Sequence, residues 1–375
     1  MGVGVSAHRL AGTVARQGAV GTISSIDLRR LHPDLMEQTR GLRPGPQARS
    51  TIEQANLLAL GREIQAARAL ADGRGLLAVN VMRAVSQYKD YVLCALESGI
   101  DAVVVGAGLP LDLPELAGDF EHALLIPILS EARAIQLVVR RWEKRGRLPD
   151  AIIVENPRLA GGHLGAARVE DLADPRFDFE NVIPQALDFF KSAGIEREIP
   201  LIAAGGITCL ADIRRLQGLG AAAVQLGTAF AVSTECDADI AFKNVLAQAR
   251  PEDLVEFISA AGLPARAVRT PWFERYQGVE ARLKEVARVK ARCTMMFDCL
   301  QRCGLRDGLR ECGQFCIDKV LGAALTGDVQ RGLFFRGAGR LPFGSEIRPV
   351  QDLISWLLTD RVPADLITGA VAASV

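Results

Sequence analysis

Gly99-Ile100-Asp101-Ala102-Val103-Val104-Val105-Gly106-Ala107-Gly108-Leu109-Pro110 holds an unbroken apolar run, Ala102–Val105, closed by glycines and a proline. A run of this kind marks a strand buried on both faces, which is the habit of parallel sheets flanked by helices. Six further runs rich in Val, Ile, Leu and Ala share the pattern: Ala19–Ser24, Leu76–Val81, Leu124–Leu129, Ala151–Glu155, Pro200–Ala203 and Ala222–Leu226. Helical spacing appears between them over Ile52–Ala71, Tyr88–Ser98, Ala132–Arg145, Phe179–Ala193 and Leu210–Leu216. Ser50-x-x-Glu53 reads as a capping box for the first of these. Alternation of strand and helix predicts a parallel sheet with right-handed crossovers. The strand number fits a TIM-type (β/α)8 barrel lacking its first strand better than an open sheet.

This barrel occupies residues 1–234. Residues 235–330 read as an added, mainly helical domain without strand–helix alternation, and 331–375 return to the barrel through a loop, Gly332–Arg348, and a last helix, Val350–Thr359. The helical segment carries Cys293, Cys299, Cys303, Cys312 and Cys316, with x3 pairs that would lie one turn apart on a helix. Zinc or an iron–sulfur cluster accepts such thiolates, but buried apolar thiols are the preferred reading, so no metal is expected.

Charge and hydropathy narrow the partners. Lys and Arg number 44 and so do Asp and Glu, which argues against a nucleic-acid partner. The longest uncharged stretch, Leu216–Thr234, is interrupted by Gly218, Gly220, Gln225 and Gly227 and reads as strand and turns rather than a membrane helix. Met1–Ser6 lacks the features of a secretory signal, so a cytoplasmic location with reduced cysteines is expected.

Barrel chemistry sits at the C-terminal ends of the strands, and a phosphate site is commonly built by the loops after the seventh and eighth. Ala203-Ala204-Gly205-Gly206-Ile207 and Gln225-Leu226-Gly227-Thr228 suit that role, because their backbone N–H groups can face an anion with no Cβ in the way. Ala160-Gly161-Gly162-His163-Leu164-Gly165 follows another strand and surrounds an imidazole with glycines open to a flat ligand. His8, His32 and His122 lack such a context and read as structural. Asn80 ends its strand at the barrel mouth, in reach of a heterocycle edge. The phosphate loop G-x-x-x-x-G-K-[ST], the zinc motif H-E-x-x-H, C-x-x-C and a strand-to-helix G-x-G-x-x-G are absent.

Taken together, Gly99–Pro110, Ala160–Gly165, Ala203–Ile207 and Gln225–Thr228 resemble the nitronate monooxygenases, formerly called 2-nitropropane dioxygenases. The resemblance runs from Met1 to about Arg269 and resumes over Gly332–Leu358. It implies an FMN-dependent barrel with the helical domain over the flavin. By motif match it implies flavin contacts at Asn80, Gly161, Gly162, Gly205, Gly206, Gln225, Leu226, Gly227 and Thr228, with Met1 and Gly2 bordering the flavin. His163 becomes the implied catalytic histidine, as a base for a neutral nitroalkane or, protonated, as a clamp on the nitro group. The implied reaction is oxidation of alkyl nitronates with O2 to a carbonyl compound and nitrite. Flavin-dependent enoyl-acyl-carrier-protein reductases and NAD(P)H:quinone reductases of the same superfamily are the alternatives. Gly262-Leu263-Pro264-Ala265-Arg266 resembles a family loop near the lid, making Arg266 a candidate for substrate binding.

Two departures stand out. Many members carry Gln and Glu ahead of Ala-Gly-Gly-His, where this chain has Asn156-Pro157-Arg158-Leu159. The family's first strand and its Gln-Gly-Gly precede the position of Met1, and Ala7–Arg16 reads as the helix after that strand. The start codon is therefore expected upstream, with Met1 the internal Met of the family motif, and a genuine seven-stranded, gapped barrel is the alternative. Gly206→Val is expected to lower FMN affinity more than fold stability.

Overall fold

The computed structural model describes residues 3–195, 198–289 and 292–361. Met1 and Gly2, the implied flavin neighbours, lie outside the described residues. Seven parallel strands form one curled sheet of the TIM type in the order β1-β2-β3-β4-β5-β7-β8. They are β1 Val20–Ser24, β2 Leu76–Met82, β3 Ala102–Gly106, β4 Leu124–Leu129, β5 Ile152–Glu155, β7 Leu201–Ala204 and β8 Ala223–Gln225. Each coincides closely with an apolar run of the sequence. Among the described residues no strand joins β1 to β8, so the sheet has two edges there.

Side chains alternate across each strand. Ile23, Leu77, Val79, Val103, Val105, Ile152, Val154 and Ala203 face outward into the core shared with the helices. Ala78, Val104, Ile126, Ile153 and Ala204 face inward and fill the lumen. Outside lie helices His8–Arg16, Pro46–Ala71, Tyr88–Glu97, Ala132–Glu143, Phe179–Ala193, Leu210–Gly218 and Val350–Thr359. Trp356 Nε1 donates to the Thr208 carbonyl at 2.9 Å, which docks the last helix behind the turn after β7. No helix of the described residues is long and apolar enough to cross a membrane.

Three readings of local structure change. The expected capping box at Ser50 does not form, because Pro46 at the first turn starts the helix earlier and leaves Ser50 inside it. Glu53 instead pairs with Arg49 at 2.8 Å, four residues away. Residues 235–330 also contain two strands, β9 Leu254–Ile258 and β10 Pro264–Val268, besides helices such as Pro271–Glu285 and Ile317–Leu325. These strands form an antiparallel sheet with a two-residue strand from the barrel loop, β6 Gly162–His163, in the order β6-β10-β9. Finally, the cysteine x3 pairs are not carried on helices. Cys303 and Cys316 are N-terminal flanks of short helices, while Cys299 and Cys312 lie in loops.

Candidate active site

The alternation that buries Ile153 and Ala78 in the lumen turns Glu155, Asn80 and Ser24 toward the same interior at the strands' C-terminal ends. Val224 packs outward, so Gln225 faces inward as well. Glu155 stands opposite Ala204, and Ala204 opposite Gln225. The barrel mouth is thus a polar rim on an apolar plug.

The loop after β5 is held from both sides. Asn156 Oδ1 accepts the Arg158 N–H at 2.9 Å, an Asx turn that engages this side chain with its own loop. Arg266, 3 % exposed, lies on β10 opposite Gly162. Its guanidinium donates to the Pro157 carbonyl at 3.2 Å, to the Ala160 carbonyl, and to Glu256 Oε1 at 2.5 and 3.1 Å. Arg266 is therefore a staple for the Gly-Gly-His loop, not a free cation awaiting substrate. Gly161 also serves the protein: a Cβ there would meet the Arg336 carbonyl carbon at 2.4 Å. Gly162 adopts φ +76°, a region glycine occupies without strain.

His163 sits on β6 opposite Ala265. Its Nε2 lies 2.9 Å from Ser259 Oγ, and its ring leans on Phe335 with centroids 5.6 Å apart. Ser259 is fully buried, and its Oγ already accepts the Ala261 N–H at 3.2 Å. Burial lowers the His163 pKa to about 4, so the ring is neutral at neutral pH. A neutral ring favours the first of the two roles that the sequence allowed over the protonated clamp. Ser259 was missed because it is 96 residues from its partner.

The two glycine turns flank this loop. Gly205 and Gly206 adopt φ +111° and +73°. A Cβ at Gly206 would lie 2.7 Å from Leu159 Cδ1, whereas one at Gly227 would meet nothing within 4 Å. The N–H groups of Gly206, Ile207, Gly227 and Thr228 donate to no protein acceptor among the described residues. Thr228 Oγ1 accepts the Gly337 N–H at 3.0 Å and keeps its own proton to donate. Gly339 adds a third wall, since a Cβ on it would stand 3.2 Å from Gly206 Cα. Unsatisfied amides converging from two strand ends fit an anionic group such as a flavin phosphate.

One expectation changes with this geometry. Valine at position 206 must enter left-handed backbone and push Leu159 aside, so Gly206→Val is expected to destabilise the fold by about 2 kcal/mol or more. Thermal denaturation of the variant checks this, and an unchanged melting temperature would contradict it.

The remaining histidines stay out of the site. His8 Nδ1 lies 2.7 Å from Glu63 Oε2, and His32 Nε2 lies 3.0 Å from Glu63 Oε1, around a buried carboxylate. His122 is exposed and meets Phe120 edge-on. All eight cysteines are free thiols, and no three His, Cys, Asp or Glu side chains among the described residues are arranged to hold a metal ion.

A TIM-type sheet with amides free of protein acceptors at two neighbouring strand ends suits a flavin-dependent oxidoreductase, the class to which the family match assigns the chain. Residues 1–360 match the family model of nitronate monooxygenase, and the chain belongs to that family. It is 26% identical over 295 residues to a probable nitronate monooxygenase of Bacillus subtilis, covering 75% of this chain and 78% of that one. A probable nitronate monooxygenase of Staphylococcus saprophyticus is 28% identical over 190 residues. That match covers 50% of each chain, so it reaches about half the length of this relative. Among solved structures, FabK from Thermotoga maritima superposes with a TM-score of 0.63 at 22% identity, over 99% of this chain and 93% of that one. Nitroalkane oxidase from Streptomyces ansochromogenes gives 0.62 at 20% identity, over 100% and 96%. At these identities the likeness establishes the fold.

Proposed function

We propose that the chain binds FMN and oxidises alkyl nitronates with O2, yielding a carbonyl compound and nitrite. The observation that carries this reading is the neutral His163, held by Ser259 on the strand between the barrel mouth and the β9–β10 hairpin. FMN, when bound, supplies the two-electron acceptor and the site of reaction with O2. The turns at Gly205–Gly206 and Leu226–Thr228 would hold its phosphate through backbone amides, and the amide side chains of Asn80 and Gln225 would supply hydrogen bonds to the ring. The β9–β10 hairpin and Phe335 close the site and exclude water from it. His163 offers a neutral N–H to a nitro oxygen and orients an anion that is already formed.

Nitrite release from preformed nitronates in air tests this reading. His163→Ala is expected to lower the rate by about a hundredfold, the scale for losing one positioned hydrogen-bond donor. Equal rates would remove His163 from its role. Fast anaerobic bleaching of the bound flavin by NAD(P)H, with no nitrite formed, would turn the assignment to the reductases.

A further inference from the structure

We propose that Glu155 is the proton-accepting group of this site, taking the α-proton of a neutral nitroalkane and so forming the nitronate in place. The inference rests on the nitronate reading above. Ile152 and Val154 face outward and Ile153 inward, so strand alternation turns Glu155, the last residue of β5, into the lumen. Through Ala204 its register is that of Gln225, and the loop that follows it carries His163.

The Glu155 carboxyl has no structural duty. It makes no hydrogen bond and no ion pair among the described residues. Other carboxylates in the interior are engaged: Asp27 lies 3.0 Å from Arg29, Asp318 2.6 Å from Arg30, and Glu63 2.7 Å from His8. Arg266, on β10, is the charged side chain that acts on Glu155, yet its N–H groups go to Glu256 and the loop carbonyls. His163, from β6, is neutral. A half-buried carboxylate without a partner directly above an apolar plug is costly, and an aliphatic residue would continue the Ile153 layer. Burial raises the Glu155 pKa to about 7, which suits a base at neutral pH, while His163 at about 4 is a much weaker one.

In the proposed step the ionised Glu155 oxygen takes the proton from the carbon bearing the nitro group. The C–H electron pair becomes the C=N bond, and an N–O π pair moves onto oxygen. The products are the nitronate anion and a neutral Glu155 carboxyl, whose proton returns to water. No electron leaves the substrate in this step.

Two measurements on Glu155→Gln test the proposal. The first is the ratio of nitrite release from a neutral nitroalkane to that from its preformed nitronate, which is expected to fall at least about a hundredfold against wild type. An unchanged ratio overturns the role of Glu155, whereas a wild-type protein that releases nitrite from neither substrate overturns the nitronate reading instead. The second is thermal stability of flavin-free protein from pH 5 to 9. A folded-state pKa raised above the ordinary 4.5 adds stability below pH 4.5 that is lost as pH rises through about 7. Glutamine carries no such proton, so the variant should gain in melting temperature over wild type above pH 7 and show the smallest gain at pH 5. A difference that is flat with pH would show that no raised carboxyl stands at this position, and the proposal would fall.

Discussion

Gly227→Val is expected to yield a folded protein that no longer retains flavin. At this position φ is −108°, which valine can adopt, and a Cβ meets no atom within 4 Å. The cost to the fold is therefore at most about 1 kcal/mol, the scale of a poor residue at a helix N-terminus. The branched side chain enters open space at the turn whose amides lack protein acceptors, where the flavin phosphate is proposed to bind. Hydrogen bonds to a charged group contribute about 1.5–3 kcal/mol each, so losing two of them weakens binding by at least about a hundredfold. Flavin fluorescence titration together with a melting curve separates the two effects. Wild-type affinity in a folded variant would place the phosphate elsewhere. Gly227 is thus a cleaner probe than Gly206, where strain and ligand exclusion are mixed.

Arg266→Ala is expected to lose stability and activity together. The side chain is buried, and its removal leaves the Pro157 and Ala160 carbonyls without their donor. Each buried unsatisfied carbonyl costs about 1–3 kcal/mol, which sets the expected loss near 3 kcal/mol and the fall in melting temperature at several degrees. Because Arg266 stands opposite Gly162, loosening it also frees His163 from its place beside Ser259. Arg266→Lys should recover only part of the stability, since an ammonium cannot reproduce the planar fork that reaches two carbonyls and Glu256. Wild-type stability of Arg266→Ala combined with a raised KM would instead return Arg266 to substrate binding.

The barrel strands were legible because each is a short local signal. Ala102–Val105 is apolar on both faces and closed by glycine, and such a run is buried wherever it falls. Phe179–Ala193 and Val350–Thr359 keep helical periodicity over their whole length, and both helices occur with these limits. The β9–β10 hairpin was not read, although Val255 and Phe257 alternate inward around an exposed Glu256. Arg266 obscured its second strand: a charged residue in the middle of Pro264–Val268 suggests a surface loop, yet every residue of that strand is buried.

Candidate site residues divide the same way. Glycines set around His163 and at two strand ends are visible in sequence, because Gly162, Gly205 and Gly206 take positive φ and Gly161 leaves no room for a Cβ. Sequence alone determined the strand–helix alternation, the polar ends of the strands and the one histidine in a glycine-rich loop. Tertiary structure decided what those residues are chemically. The pKa of His163 follows from burial and its hydrogen bond from Ser259, Arg266 is a staple because two carbonyls lie within its reach, and Glu155 ends its strand without a partner among the described residues. Periodicity is a property of adjacent residues, whereas desolvation and hydrogen-bond partnership depend on groups as far apart as the 96 residues between His163 and Ser259.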